Sequence, residues 1–508
     1  MNAVVETNAG KLAGQHNDGI YSFRGIPYAR PPVETLRFCA PQPPEPWAGM
    51  RDAKVWGCSA PQSQSVLPAG VGQTSEDCLY LNVWTDGLAG SPRPVMVWIH
   101  GGAFVNGSGS QEMYDGSALA RRGVVLVTIN YRLAALGFSF LRDLAPEHEE
   151  LSANPAIEDQ LAALRWVQEN IARFGGDPGN VTLFGESAGG MSVATLMGTP
   201  SAHGLFHRAI PQSGAAHHTV SREDATRVTR ALLDALRIPP GAARKLQETP
   251  LEDLLRAQQV CFKQVLNPEG KDRRLPMLGM PFLPVRDGQL LPQDPLDAIR
   301  GGSAAQVPLL IGTNLDEWML FVRLVETGKQ NLSAEGLHKV CKRRIPRGRE
   351  ALIETYLGTR GGENAETPTQ IYAAIESDRM FRIPAIRLAE AQASVQPAVY
   401  NYLFTWPSPM MRGAIGAGHA VEIPFVFGTL GTPFGRLFSG DSPEAWKFSE
   451  RVMDIWTSFA RDGQPAAPAG LDWPRYEPER RATLTLGEQH SVLQDPASEE
   501  RRAWDELL

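Results

Sequence analysis

A serine between two glycines marks the first place in the chain where chemistry is expected. Ser187 is the centre of the sequence GESAG, which directly follows the apolar run 181–184 (VTLF) and leads into the helix-compatible MSVATLM. A tight turn from a strand into a helix requires small neighbours and raises its central side chain above the edge of the sheet. The start of the next helix also supplies partial positive charge and unpaired N–H groups. The pattern predicts that Ser187 is a nucleophile.

A nucleophilic serine needs hydrogen-bond donors for the negative charge of its tetrahedral intermediate. The loop HGGAF begins at His100, directly after the apolar run 95–99 (VMVWI). We expect the N–H groups of Gly102 and Ala103 in this loop, together with that of Ala188 after the nucleophile, to form an oxyanion hole. A phosphate-binding loop is not indicated, because the loop has neither GxGxxG nor GKS or GKT.

The serine also needs a general base, and ten histidines are available. His419, in GAGHAVEIPFVF, follows the last strand-like run by a loop and lies between small residues, so it is the best-placed candidate. His100 is expected to brace the oxyanion loop. His419 and Glu422 also form an HxxE pair, but no second histidine or HExxH motif accompanies it, and no metal is predicted. Four histidines that follow the nucleophile are open to surface or core roles: His203, His207, His217 and His218.

Two adjacent carboxylates are candidates for the acid that orients the base. Asp316 and Glu317 follow the apolar run 307–311 (VPLLI), at the expected end of a strand. Neighbouring side chains point in different directions, and the residue chemistry alone does not choose between them. Either one gives the chain order serine, acid, histidine, which is the order of α/β-hydrolases.

Five short apolar runs indicate strands that are covered on both faces, and hence a mainly parallel sheet. They are residues 95–99, 124–129, 181–184, 307–311 and 399–404. Apolar residues from Ile157 to Phe174 repeat at helical spacing, with Asn154 as the expected N-cap, and a second helix is expected over 444–463. The alternation of strands and helices predicts a doubly wound α/β fold, with a mostly parallel central sheet flanked by helices. The order serine, acid, histidine indicates the α/β-hydrolase fold within this class.

The whole chain, residues 1–508, is expected to form a single domain. No internal repeat or low-complexity linker divides it, and its 43% of hydrophobic residues allow a large core. Two stretches, about 221–302 and 322–369, are rich in charge and proline and only weakly periodic. We expect them to be helical insertions around the active site that set its specificity.

Charge and hydropathy exclude several classes of function. The net charge is −7 without a run of five like charges, so nucleic acid is not an expected partner. The longest apolar runs are about six residues, whereas a membrane-spanning helix needs roughly 20. No secretory signal is legible at the N-terminus, which predicts a cytoplasmic protein. The five cysteines form no CxxC pair and are expected to be free thiols. No cofactor is predicted; a monomer is compatible with the sequence, and the oligomeric state is left open.

Long stretches of the chain resemble the type-B carboxylesterase family, which includes cholinesterases, a group of fungal lipases and bacterial p-nitrobenzyl esterases. SDRMFRIPA is similar to the bacterial esterase branch in particular. The resemblance implies a serine esterase with Ser187 as nucleophile, Glu317 rather than Asp316 as acid, and His419 as base. It also implies that the oxyanion donors are those predicted above. The matching motifs, which span residues 23–427, are FRGIPYARPP, SEDCLYLNVW, PVMVWIHGGAF, TINYRLAALGF, DQLAALRWVQENIARFGGDPGNVTLFGESAGG, IGTNLDEW, SDRMFRIPAIRLAEAQ and GHAVEIPFVF.

The sequence also departs from the family. Relatives often carry glycine after the acid, where this chain has Trp318, and bulky neighbours here are expected to narrow the substrate pocket. In secreted relatives, the cysteine of SEDCLYLN forms a disulfide bond with a cysteine upstream. The corresponding residues here are Cys78 and Cys58, and whether they are bonded to each other is left open. The predicted pocket residues are Phe104, Trp318, Met319 and Phe321.

The predicted reaction is the hydrolysis of small to medium carboxylic esters. Ser187 attacks the ester carbonyl while His419 takes its proton, and water then hydrolyses the acyl-enzyme. The same three residues would also suit amide, thioester or lactone substrates, because all pass through a tetrahedral oxyanion. A binding protein without catalysis is a further alternative, but such family members typically lack a triad residue and this chain keeps all three.

Overall fold

The computed structural model describes residues 2–63, 70–266, 280–362 and 365–507. Within them, thirteen strands form one sheet and two short strands form a second. The strands are β1 (Asn2–Glu6), β2 (Lys11–Asn17), β3 (Ile20–Pro27), β4 (Met50–Asp52), β5 (Tyr80–Thr85), β6 (Arg93–Ile99), β7 (Val125–Ile129), β8 (Gly176–Glu186), β9 (Arg208–Gln212), β10 (Val220–Ser221), β11 (Val285–Arg286), β12 (Leu309–Asn314), β13 (Val399–Phe404), β14 (Ala482–Leu486) and β15 (Ser491–Gln494).

The centre of the large sheet is parallel. Its strand order is β1-β2-β3-β5-β7-β6-β8-β9-β12-β13-β14-β15, with β4 paired to β2, and the seven strands from β7 to β14 in this order are all parallel. The pairs at both ends of the sheet are antiparallel except for β2 with β4. The five apolar runs are β6, β7, β8, β12 and β13. The prediction of a mostly parallel central sheet is therefore confirmed.

The helices are α1 (Ser117–Ala120), α2 (Ala134–Phe138), α3 (Pro155–Asn170), α4 (Ala188–Met197), α5 (Arg222–Ala235), α6 (Leu251–Leu266), α7 (Pro295–Arg300), α8 (Glu317–Leu324), α9 (Ala334–Arg344), α10 (Arg349–Thr359), α11 (Pro368–Ser377), α12 (Ile383–Ala393), α13 (Ile423–Phe427), α14 (Pro433–Phe438), α15 (Pro443–Asp462) and α16 (Ser498–Ala503). A π-helical turn over Asp378–Arg382 joins α11 to α12.

Helices cover both faces of the sheet. Alternate residues of β6 belong to two separate hydrophobic clusters: Val97 packs with the apolar stripe of α3, and Trp98 packs with that of α15. Because successive side chains of a strand point to opposite faces, α3 and α15 lie on opposite sides of the sheet. Both are the helices predicted from periodicity, and α15 ends at Gly463, whose φ is 74°.

Asn154 occupies the predicted N-cap position of α3, but the expected capping of the first turn by its side chain is wrong. The side chain of Asn154 makes no capping bond; instead it accepts from the backbone N of Val285 at 2.7 Å and donates to the carbonyl of the same residue at 3.0 Å. The amide thus fastens the start of α3 to β11, a partner 131 positions away in sequence. Burial of both backbone groups explains why this contact replaces the local one, since neither has access to water.

The first predicted stretch contains α5, α6, α7, β11 and the second residue of β10, and the second contains α9, α10 and parts of α8 and α11. Residues 267–279 and 363–364 of these stretches lie outside the described residues. The single-domain organisation stays a prediction. All five cysteines are free thiols, so Cys58 and Cys78 are not bonded to each other. Among the described helices, none has both the length and the apolar composition needed to span a bilayer.

Candidate active site

Ser187 lies at a strained turn between β8 and α4. Its φ of 56° and ψ of −124° are unusual for a residue with a side chain, and its backbone N donates to the carbonyl of Gln212 at 2.9 Å. A Cβ on Gly185 would lie 2.6 Å from the carbonyl oxygen of Ile99, and one on Gly189 would overlap the same oxygen. The two glycines of the motif are therefore required by the close approach of β6, which allows the turn to hold Ser187 above the sheet edge.

The loop after β6 passes beside this turn. A Cβ on Gly101 would lie 3.1 Å from the Cβ of Ser187. The next three residues, Gly102, Ala103 and Phe104, all have positive φ, of 111°, 54° and 62°. Within the described part of the chain, no hydrogen bond of the N–H groups of Gly102 and Ala103 is found. Ala188 is the first residue of α4, where N–H groups have no partner inside the helix. The three predicted donors thus border the serine turn.

His100 supports the loop from within the protein. Its ring stacks on that of Tyr131, with ring centroids 4.6 Å apart, and its Nδ1 lies 2.8 Å from the carbonyl oxygen of Gly101. The hydroxyl of Tyr131 donates to the carbonyl of His100 at 3.0 Å. Burial lowers the pKa of His100 to about 4, against the effect of its backbone hydrogen bond. A neutral imidazole packed in this way fits the predicted structural role.

A second set of contacts holds the far end of the loop. The side-chain amide of Gln62 donates to the carbonyl of Gly107 at 2.8 Å and accepts from its N–H at 2.9 Å. Next along the loop, the hydroxyl of Ser108 accepts from the hydroxyl of Ser59 at 2.7 Å and donates to the side chain of Asn130 at 3.1 Å. Segment 59–62 therefore holds the loop through the N–H and the carbonyl of Gly107 and through the hydroxyl of Ser108.

Glu317 and His419 form a buried pair. Glu317 is the first residue of α8, just beyond the carboxyl end of β12, and its Oε2 lies 2.5 Å from Nδ1 of His419. The other oxygen of Glu317 accepts from the hydroxyl of Ser213 at 2.5 Å and from the backbone N of Asn314 at 2.8 Å. Glu317 has no exposed surface and His419 is 6% exposed. The carboxylate is thus fully hydrogen-bonded and positioned to orient the imidazole.

Asp316 has a different role from its neighbour. Its backbone N donates to the carbonyl of Ala417 at 2.9 Å, and its Oδ2 accepts from the N–H of the same residue at 2.8 Å. Asp316 therefore holds the backbone of the loop that carries His419, two residues further on. The structure separates the two candidates: Glu317 contacts the ring, and Asp316 contacts the loop.

Two further carboxylates surround the imidazole. Oε1 of Glu186, the residue before Ser187, lies 3.0 Å from Nε2 of His419 but makes no aligned hydrogen bond with any described residue. Glu422 accepts from the side chains of Gln212 at 3.0 Å and Asn314 at 2.7 Å. Nε2 of His419 thus faces the side chain next to Ser187, and among the described residues no hydrogen bond joins His419 to Ser187 itself.

These buried charges shift the ionisation of the site. Burial raises the pKa of Glu186 to about 8, although the nearby His419 opposes the shift. Burial also lowers the pKa of His419, but the carboxylates of Glu186 and Glu317 outweigh it and raise that pKa to about 9. The close carboxylates therefore favour the protonated imidazole, the form that arises when a base takes the proton of a serine.

Aromatic rings flank the imidazole on its other sides. The ring centroids of Phe321 and Phe381 lie 5.1 Å and 4.8 Å from that of His419. Trp318 packs on Phe321 at 4.6 Å, and its indole N–H donates to Glu326 at 3.0 Å. These contacts place two of the predicted pocket residues, Trp318 and Phe321, beside the catalytic candidates.

The other two predicted pocket residues lie further from the imidazole contacts. Phe104 has no exposed surface and packs on Phe138 with ring centroids 5.0 Å apart. Met319 is 8% exposed and lines a cavity together with Asp316 and Arg323. Their part in a substrate pocket stays a prediction. The sequence did not single out Phe381 or Ser213, and only the segment of Phe381 was covered by a motif, SDRMFRIPA.

Within the described residues, no three His, Cys, Asp or Glu side chains come together in a way that could hold a metal ion. The two residues of the HxxE pair have different partners instead: His419 contacts Glu317 and Glu186, and Glu422 accepts hydrogen bonds from Gln212 and Asn314. The arrangement as a whole has a serine at a strand-to-helix turn, a buried carboxylate–imidazole pair and unpaired N–H groups at the carboxyl edge of a parallel sheet. This is the arrangement of α/β-hydrolases, and the chain is a hydrolase of that fold.

Comparison with known proteins gives the family. The model of the carboxylesterase family matches residues 1–504, and the chain belongs to this family. It is 40% identical over 509 residues to the para-nitrobenzyl esterase of Bacillus subtilis (strain 168), which covers 98% of each chain. It is 35% identical over 498 residues to the phenmedipham hydrolase of Pseudarthrobacter oxydans, which covers 96% of this chain and 95% of the relative.

Solved structures agree with the family. The carboxylesterase EST55 of Geobacillus stearothermophilus at pH 6.2 superposes with a TM-score of 0.87 at 40% identity, covering 99% of this chain and all of that one. A p-nitrobenzyl esterase structure superposes with a TM-score of 0.86 at 37% identity, and both chains are covered completely. The expected fold, family and enzyme class are confirmed: the chain is a carboxylic ester hydrolase.

Proposed function

We propose that Ser187, His419 and Glu317 are the catalytic triad of this esterase and that an acyl-enzyme forms on Ser187. The observation that carries the proposal is the position of the imidazole. Its Nδ1 contacts a fully buried carboxylate at 2.5 Å, while its Nε2 faces the residue before the serine at 3.0 Å. One ring nitrogen thus contacts an acid that can orient it, and the other contacts the side chain that directly precedes the proposed nucleophile.

In the proposed reaction, the hydroxyl of Ser187 attacks the ester carbonyl and His419 accepts its proton through Nε2. The carbonyl oxygen becomes negative and binds the N–H groups of Gly102, Ala103 and Ala188. His419 then gives the proton to the departing alcohol, and the acyl group stays on the serine. Water repeats the sequence on the acyl-enzyme, with His419 as base again, and releases the carboxylic acid.

We further propose that the substrates are small to medium carboxylic esters, including p-nitrobenzyl esters. Support comes from the Bacillus relative, whose name states that activity and whose length this chain matches almost completely. The aromatic rings of Phe321 and Phe381 beside the imidazole offer an apolar surface for such groups. A cytoplasmic location is also proposed, because five free thiols suit a reducing compartment.

The test combines labelling with substitution at Ser187. A fluorophosphonate should form one covalent adduct, which peptide mass spectrometry should locate on Ser187. Ser187→Ala should lose the adduct and reduce kcat for p-nitrophenyl butanoate by about 10⁴-fold or more. Ser201→Ala, at an exposed serine in the turn after α4, should retain both. An adduct on another residue, or normal turnover by Ser187→Ala, would refute the triad.

A further inference from the structure

His217 and His218 are neighbouring histidines whose ring nitrogens have no partners. Their ring centroids lie 3.7 Å apart, and His218 is 1% exposed. In the part of the chain that the structure describes, none of the four nitrogens makes a hydrogen bond, and all four are shielded from solvent. Buried polar groups nearly always have a partner, and a neutral imidazole carries one donor and one acceptor. The pair therefore presents two donors and two acceptors that the described residues do not use.

The segment that carries the pair runs along the nucleophile turn. The carbonyl of Gln212 accepts from the N–H of Ser187 at 2.9 Å, and the hydroxyl of Ser213 donates to the acid of the proposed triad at 2.5 Å. A Cβ on Gly214 would lie 2.6 Å from the carbonyl oxygen of Ser187. Three more residues extend at most about 11 Å, so His217 lies within that distance of Gly214.

A second segment in contact with the triad also approaches the pair. The charge of Arg379 acts on both rings, and Phe381, two residues further on, lies 4.8 Å from the ring of His419. Burial, with the charge of Arg379, lowers the pKa of His217 to about 3 and that of His218 well below its usual value. The pair is thus uncharged at neutral pH, and both the segment that carries it and the segment that carries Arg379 reach the reacting groups.

We propose that His217 and His218 form a polar subsite for a second oxygen atom of the substrate, outside the ester group itself. This inference rests on the proposed function and specifies its substrate class: esters with an ether, hydroxyl or carbonyl oxygen in the acyl or the alcohol part. An uncharged function is favoured because both rings are neutral and the guanidinium of Arg379 is already paired with Glu376 at 2.8 Å.

Two pairs of isosteric esters test the proposal. p-Nitrophenyl methoxyacetate and p-nitrophenyl butanoate differ by one oxygen in the acyl part, and 2-methoxyethyl butanoate and n-butyl butanoate differ by one in the alcohol part. The measured quantity is the ratio of kcat/KM between the oxygen ester and its hydrocarbon partner. Dividing the ratio of a variant by that of the wild type cancels the intrinsic reactivity of the esters.

In His217→Phe or His218→Phe, this ratio should fall about fivefold to tenfold for one of the two ester pairs, because a neutral hydrogen bond to the substrate oxygen contributes about that much discrimination. The affected pair identifies whether the oxygen belongs to the acyl or the alcohol part. His217→Asn and His218→Asn keep a donor and an acceptor near Nδ1 and should recover part of the ratio. His490→Phe is the matched control, because His490 packs on Phe448 beside the last hairpin and its ratio should equal that of the wild type.

Titration with diethyl p-nitrophenyl phosphate counts the folded active sites, so that loss of folding does not enter the ratios. If the phenylalanine variants fold poorly, alanine variants provide the same comparison. Wild-type ratios in both ester pairs, for every variant at the two histidines, would overturn the subsite but leave the esterase proposal intact. A wild-type enzyme without activity on any of the four esters would overturn the proposed function first, and the subsite with it.

Discussion

The two flanks of Ser187 are built from different components. The loop 100–109, here the backbone flank, has peptide N–H groups as its functional candidates, and its shape depends on three successive residues with positive φ. The charged flank consists of one imidazole, His419, and three buried carboxylates, those of Glu186, Glu317 and Glu422. The first flank depends on conformation, whereas the second depends on protonation.

The difference has consequences for how each flank fails. A peptide N–H does not ionise, so the backbone flank should work equally at any pH at which the protein is folded. It should be damaged only by changes in its conformation, through steric overlap or through loss of the hydrogen bonds that hold the loop. The charged flank holds groups whose pKa values are displaced to about 8 and about 9, so its state depends on pH and on each neighbouring charge. Four substitutions test this contrast.

The largest effect is expected from Glu317→Gln on the charged flank. The variant keeps the shape of the side chain but removes the charge that stabilises the imidazolium, and kcat should fall by about 10⁴-fold. The measurement is kcat for p-nitrophenyl butanoate at the pH plateau. Asp316→Asn is the control, because this residue contacts the backbone of Ala417 rather than the ring. Equal losses in the two variants would contradict the separation of their roles.

On the backbone flank, Gly102→Ala should reduce kcat by about 10² to 10³-fold, the usual cost of losing an oxyanion donor. Its φ is 111°, and a Cβ there would overlap the backbone of Asn106, so the loop has to move. Unlike the loss in Glu317→Gln, this one should be independent of pH. Gly90→Ala controls for positive φ alone, since Gly90 has a φ of 100° and open space around it. A wild-type kcat in Gly102→Ala would show that the oxyanion donors lie elsewhere.

A smaller effect is expected from Gln62→Met, which removes two hydrogen bonds to Gly107 but preserves the length of the side chain. The loop should lose part of its positioning, and kcat should fall about tenfold with a smaller change in KM. Binding of a trifluoromethyl ketone, which forms a tetrahedral adduct, should weaken by a similar factor. Gln42→Met is the control, because among the described residues the side-chain amide of Gln42 donates to the carbonyl of Ala40 alone, at 3.2 Å. Unchanged inhibitor binding would show that Gln62 does not support the oxyanion donors.

The smallest effect at the pH plateau is expected from Glu186→Gln. Removal of a carboxylate 3.0 Å from Nε2 disfavours the imidazolium, so the pKa of His419 should fall from about 9. Because the neutral imidazole is the base, the rising limb of the kcat/KM profile should move to lower pH. Glu158→Gln is the control, since burial raises the pKa of Glu158 without contact to His419. A profile that stays in place or moves upwards would contradict this electrostatic coupling.

The fold was predictable because its signals are local. Five of the seven central parallel strands contain a short, largely buried apolar run, and β7 has no exposed residue. The stripes of α3 and α15 are likewise read directly from spacing. Asn154 shows the limit of this approach: its capping preference is local, but the contact that it makes, with Val285, is 131 positions distant.

The active-site prediction required more than residue chemistry. Asp316 and Glu317 have the same functional group and adjacent positions, and only the family resemblance favoured Glu317. The structure shows the physical reason for the difference, since α8 begins at Glu317 and turns its side chain to His419, while Asp316 meets a loop backbone. Glu186 and Phe381 gave no chemical signal in the sequence, because their importance arises only when distant segments meet around the imidazole.

The adjacency of Asp316 and Glu317 has one more consequence. The first is clamped to the backbone of Ala417 and the second to the ring of His419, two positions later, so peptide bonds and hydrogen bonds together close a small macrocycle. Small movements of the surrounding helices can shift this closed ring as a unit, but they do not readily change the distance between Glu317 and His419. The acid and the base are therefore held at one spacing by the backbone and by these hydrogen bonds together, not by the Glu317–His419 contact alone.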